Sequence, residues 1–150
     1  MLAGLAEAHL TLGEPTEAVA TAREGIDLGS AGGCLYNEAF AQVALAAALL
    51  ATACVVPRAE IESALERAEH LVASIEGSAL SPRILDLRGR LAAAVGDAPS
   101  SDRTLREALD LYLAIGATGH AERLARELPI FLLIFLLPSA VAIFVKWKFL

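Results

Sequence analysis

Chemistry on this chain would have to come from few residues. His9, His70 and His120 are the three histidines, and none has a His or Cys three or four positions away. A solvated or hydrogen-bonded histidine is therefore the simpler reading than a metal ligand. Cys34 and Cys54, the only cysteines, stand 20 apart, which fits no zinc spacing. They lie among small apolar residues, and free cysteine is among the most buried residue types, so both are expected buried and reduced. Gly29 to Gly33 is glycine-rich, but no Lys follows it as a phosphate loop requires. No Ser/His/Asp or Cys/His arrangement stands out. Neither catalysis nor a cofactor is expected, and no metal site.

Binding chemistry is better represented. Glu60, Glu62, Glu66, Glu69 and Glu76 fall on one stretch and predict an acidic helix face, a solubilising surface or a patch for a basic partner. Residues 1–128 hold ten Arg against all eighteen Asp and Glu, a net of −8, and no Lys. Phosphate binding needs a basic stripe, so nucleic acid is not an expected partner.

The elements that would position these groups are helices. Apolar residues make up 56% of the chain, alanine supplies much of the excess, and alanine favours helix. Leu2, Leu5, Ala6, Ala8, Leu10 and Leu12 form a helical stripe ended by Gly13, and Pro15 suits the first turn of a second helix. Ala18, Val19, Ala22 and Ile26 mark its buried face, and Gly29–Gly33 reads as the following loop. A third helix is expected over about 35–55. From Ala39 to Val56 only Gln42 and Thr52 are polar, and eight of the eighteen residues are Ala, so it reads as a central, buried helix. Helix four follows Pro57 with Ile61, Ala64, Leu65, Ala68, Leu71, Val72 and Ile75 inward. Helix five opens at Ser81-Pro82, with Leu85, Leu87, Leu91, Ala92 and Val95 apolar. Helix six is capped by Ser101 or Asp102 and buries Leu105, Ala108, Leu109, Tyr112 and Ile115. A seventh runs from a Thr118 cap to Leu128.

The fold class expected is all-α: about three antiparallel helix pairs stacked as a TPR-like α-solenoid over 1–128. One pair cannot bury its apolar stripe alone, and corresponding alanines recur at Ala18, Ala64 and Ala108. Leu12-Gly13-Glu14-Pro15-Thr16-Glu17-Ala18-Val19 resembles the turn of a tetratricopeptide repeat, although the spacing here exceeds that repeat's period. Arg88-Gly89-Arg90-Leu91-Ala92, Gly96-Asp97, Leu105-Arg106-Glu107-Ala108-Leu109-Asp110-Leu111-Tyr112 and Ile115-Gly116-Ala117-Thr118-Gly119-His120-Ala121-Glu122-Arg123-Leu124 resemble a second group of sequences. These are the C-terminal TPR-like repeat regions of bacterial regulators that carry an adenylate/guanylate cyclase domain and an AAA-type ATPase domain. The resemblance implies a regulatory or protein-interaction module in signal transduction, binding a protein or peptide or the neighbouring domains of a parent protein. It carries no activity across, since this chain has no phosphate loop and no room for a cyclase domain. Met1 begins directly inside a helix, so the chain reads as a fragment of a longer protein.

In stacked pairs the first helices line a concave groove, and the groove candidates are His9, Asn37, Gln42, Arg83 and Arg88. A Lys- and Asn-rich carboxylate clamp is disfavoured, because no Lys precedes position 146 and Asn37 is the only Asn. Arg83 and Arg88 could grip one acidic group.

Residues 129–150 differ in composition. They contain both lysines, the only Trp, four of the five Phe and no acid. Pro129 to Val145 is uncharged and as a helix would span roughly 25 Å against a hydrocarbon core of about 30 Å. Lys146, Trp147 and Lys148 suit a membrane interface. Three readings stay open: a C-terminal transmembrane tail anchor on a cytoplasmic body, a reading-frame accident, and a tail folded back on the repeats.

Overall fold

The computed structural model describes residues 1–52, 56–75 and 78–128, and every regular element among them is helical. Seven α-helices follow in order: α1 (Leu2–Leu12), α2 (Pro15–Ala31), α3 (Leu35–Thr52), α4 (Arg58–Ser74), α5 (Ser81–Ala94), α6 (Ala98–Ala114) and α7 (Thr118–Glu127). A single 3₁₀ turn at Ser78–Leu80 leads into α5. The expectation of an all-α fold is met among these residues. Cys54, Glu76 and the whole of 129–150, with Lys146, Trp147 and Lys148, lie outside them.

Local chemistry explains where the helices stop. Gly13, Gly96 and Gly116 take positive φ at three inter-helix turns, a conformation that costs glycine little. Pro15 occupies the first turn of α2, as expected. The predicted N-caps were misplaced. Ser81 and Thr118 are already helical, behind Leu80 and Ala117, and α6 is capped by Asp97, whose carboxylate accepts from the Ser100 amide at 3.1 Å. That hydrogen bond holds the Asp97 carboxyl below its ordinary value. Ser101, expected at the cap, is buried inside α6, and Asp102 instead receives Arg106 one turn on, at 2.7 Å.

The glycine run 29–33 is a second correction. Helix α2 continues through Gly29, and the chain turns only at Gly32 and Gly33. Gly29 sits against the backbone of α3: a Cβ there would lie 2.8 Å from the Glu38 amide nitrogen. The absent side chain lets the two helices approach, and Gly25 does the same against Ala41.

Each helix packs on its neighbour in sequence, and α3 is the hub, touching α1, α2, α4 and α5. Nine of its eighteen residues are buried, which accounts for its uniformly apolar sequence. By length and composition alone α3 could cross a membrane, but half of it is covered by the bundle. The main apolar cluster runs from α1 to α5 around Ala44, Ile61, Leu65 and Ile84. A smaller one joins α6 and α7 through Ala108, Tyr112, Ala121, Leu124 and Leu128. Helix α5 serves both: Ile84, Leu87 and Leu91 face the first, and Leu85 packs on the second. Val95 and Ile115, expected inside, are exposed, because each follows the last helical residue of its element. Cys34, also expected inside, is exposed in the α2–α3 turn.

Candidate functional site

Among the described residues, a groove of about 670 Å³ is formed by α1, α3, α5 and α7. Helix α1 contributes Glu7, Leu10 and Thr11, and α3 gives a floor of Ala47, Leu50 and Ala51. Helix α5 presents Arg83, Asp86, Leu87 and Arg90 at successive turns, and α7 closes the far side with His120, Arg123 and Glu127.

Asp86 is the electrostatic centre. It is only 3% exposed and accepts from Arg90 Nε at 2.7 Å. Arg123 of α7 approaches its other oxygen at 3.6 Å. Arg90 also donates to Glu127 at 2.5 Å, so two guanidinium groups and two carboxylates link α5 to α7. Burial opposes the Arg90 charge, but Asp86 and Glu127 outweigh it and the guanidinium pKa is raised. A buried carboxylate needs such partners, since desolvating an unpaired one costs several kcal/mol. Beside this network lies Tyr112, 3% exposed, with a hydroxyl that finds no hydrogen-bond partner among the described residues. Burial and the nearby Asp86 charge push its pKa up to about 12. The His120 ring stacks on Tyr112 with centroids 5.2 Å apart.

At the α1 end, Arg83 forms an ion pair with Glu7, and its guanidinium lies 5.7 Å from the Phe40 ring centroid, a cation–π arrangement.

The expected groove residues divide. Arg83 lines the groove. His9 is on α1 beside the lining residue Leu10, but its Nδ1 is 2.7 Å from Glu14 in the α1–α2 turn. Gln42 is half-buried on α3 and lines none of the clefts around it. Asn37 is exposed at a small cavity with Cys34 and Phe40. Arg88 faces a separate cleft of about 390 Å³ between α4, α5 and α6, where it donates to Glu69 at 2.7 Å. Arg83 and Arg88 thus point into different clefts and cannot hold one acidic group together. Five residues on a helix is about 140° past a full turn, which separates their faces.

The acidic face of α4 is largely paired. Arg23 meets Glu60 at 2.6 Å, Arg58 meets Glu62 at 2.8 Å, and Arg88 takes Glu69. Sequence reading missed Asp86, Arg90, Arg123 and Glu127. The i,i+4 spacing of Asp86 and Arg90 was a local signal; their meeting with α7 had none. Among the described residues no three His, Cys, Asp or Glu side chains gather as a metal site would require. Compared with protein-family models, with curated proteins and with solved structures, the chain matches none of them.

Proposed function

We propose that residues 1–128 are a TPR-like α-solenoid that acts as a protein-interaction or intramolecular regulatory module without catalysis of its own. In this reading the pairs α1–α2, α3–α4 and α5–α6 stack, and α7 begins a further unit. The observation that carries it is the shared groove: alternate helices α1, α3, α5 and α7 line one concavity, as the first helices of stacked pairs do. The occupant is a protein or peptide segment, or a neighbouring domain of a cyclase/ATPase signalling protein of which this chain is a piece. No cofactor is assigned and no nucleic acid is expected, given the acidic body. A photo-crosslinking residue at Thr11, which lines the groove, and another at Arg103, exposed on α6, test this in the full chain. Discrete protein adducts from position 11 but not from 103 support the groove; equal labelling from both removes it.

A second reading rests on the uncharged run 129–145 and the Lys146-Trp147-Lys148 that follows. Here the chain is a tail-anchored membrane protein with its helical body in the cytoplasm. Twelve Ile, Leu, Phe and Val residues between 130 and 145 favour insertion by about 4–7 kcal/mol before Pro138 and Ser139 oppose it. Fractionation with a carbonate wash decides it. Retention of the full chain in the pellet, with a chain ending at Leu128 in the supernatant, is the expected outcome; full extraction of both removes the anchor.

A further inference from the structure

Helix α1 has the composition of a buried helix and the position of an outer one. Its ionisable side chains are Glu7 and His9, and both are engaged, Glu7 with Arg83 across the groove and His9 with Glu14 in the following turn. Ala3 and Ala6 are its buried residues and face the bundle. The opposite side carries Met1, Leu5, Ala8 and Leu12, all exposed; Leu5 is 48% and Leu12 72% accessible. Their spacings of four, three and four residues are those of a coiled-coil seam, which keeps to one side of a helix and meets a second helix. A helix that is apolar all round is ordinarily covered all round, as the hub α3 is in this chain. By contrast α2, α4, α6 and α7 turn charged residues to solvent, Glu17, Glu66, Glu107 and Glu122 among them.

We propose that this seam pairs with the same seam of a second copy of the chain, α1 against α1, antiparallel across a two-fold axis. Symmetric pairing needs a surface that is its own complement. In the antiparallel register Met1 stands opposite Leu12 of the second copy, and Leu5 opposite its Ala8, so the large Leu5 side chain fills the space above a small one. Charge selects a second copy at this face. Residues 1–128 carry a net charge of −8, so two bodies repel each other. The seam adds no charge to that repulsion, whereas the exposed faces of α2, α4, α6 and α7 would bring acids together. Three turns of helix bury less than a standard interface, so the dimer is a weak one that forms at micromolar concentrations. Glu7, Leu10 and Thr11, which line the groove, lie outside the seam, so the pairing does not depend on what the groove binds.

Sedimentation velocity of the full chain in a non-ionic detergent, over about 2–200 µM, reads the association. A monomer at the low end passes to a dimer at the high end. Leu5→Glu and Leu12→Glu each weaken the dimer by about tenfold or more, because each removes apolar burial and sets like charges across the axis. Both side chains are exposed in the single chain, so the helix content read by circular dichroism stays the same. Leu113→Glu, exposed on α6, leaves the association unchanged. Raising the salt from about 50 to 500 mM tightens it, because the two acidic bodies are screened from each other. A chain that stays monomeric throughout overturns the proposal. So does a dimer that Leu5→Glu and Leu12→Glu leave intact, or that Leu113→Glu weakens as much, since the contact then runs through another surface. Dissociation by salt would place the contact between charged groups and overturn it as well.

Discussion

Tyr112 concentrates two opposing tendencies in one side chain. Its ring completes the α6–α7 cluster and stacks on His120, while its hydroxyl is buried without a partner among the described residues. An unpaired buried hydroxyl costs about 1–3 kcal/mol. Tyr112→Phe keeps the ring and removes that cost, so urea denaturation should show a gain of about 1 kcal/mol; a loss of stability would mean the hydroxyl is hydrogen-bonded in solution. The same residue sets an alkaline limit. Its pKa is raised from 10.0 to about 12 on folding, so the folded chain holds that proton longer than the unfolded one. The contribution is intact below pH 10 and is lost as the pH rises from 10 to about 12. Tyr112→Phe should remove this part of the alkaline loss, and identical alkaline profiles for the two chains would contradict the assignment. Glu38 is the corresponding case on α3. Its buried carboxylate is met by Arg67 of α4 at 2.8 Å. Arg67→Leu leaves a buried charge without its partner and should cost about 1–3 kcal/mol by the same denaturation assay. No cost would show that solvent reaches Glu38.

At the scale of the elements, glycine has two distinct uses, and the sequence distinguishes them poorly. Gly13 announced itself because it follows an apolar stripe and precedes a proline. Gly29 reads as part of a loop because Gly32 and Gly33 follow closely, yet it is a helical residue pressed on the α3 backbone. The information that decides between these uses lies on α3, not near Gly29. A matched pair of substitutions makes the point measurable. Gly4→Ala in α1 meets nothing within 4 Å and should stabilise by up to about 1 kcal/mol through helix propensity. Gly29→Ala gains the same propensity but forces α2 and α3 apart, for a net loss of about 1–3 kcal/mol. Equal shifts of thermal midpoint in the two variants would refute the close-approach argument. The N-cap errors have a similar origin. Pro82 and Pro99 lie inside the first turn, so the cap falls two residues before the proline, at Leu80 and Asp97. The helices and most of their apolar faces were legible because they depend on local periodicity; α1 is the exception, burying Ala3 and Ala6 while Leu5 and Leu12 are exposed. The groove was legible only as an expectation about alternate helices, since its ion pairs join residues 37 and 76 positions apart, such as Arg90 with Glu127 and Glu7 with Arg83.

For the molecule as a whole, the two apolar clusters divide the stability unevenly. The larger is built on α3 and four helices that contact it, whereas α6 and α7 rest on five buried residues and on α5. Hydrogen exchange should find the α6–α7 amides opening at lower free energy than those of Ala41–Leu49 in α3. One common opening energy across all seven helices would instead mark a single cooperative unit. Such a gradient suits a groove whose far wall is α7, because that wall can shift without disturbing the α3 hub.

The ion pairs have a further consequence for chemical labelling. Apart from His9–Glu14, every ion pair among the described residues is made by an arginine, and residues 1–128 contain no lysine. Guanidinium groups keep their charge at any pH the fold survives. Acylating reagents directed at lysine consequently have two targets in this sequence, Lys146 and Lys148. Lysine acylation, whether by a laboratory ester or by a lysine acetyltransferase, leaves the cationic side of these pairs unmodified.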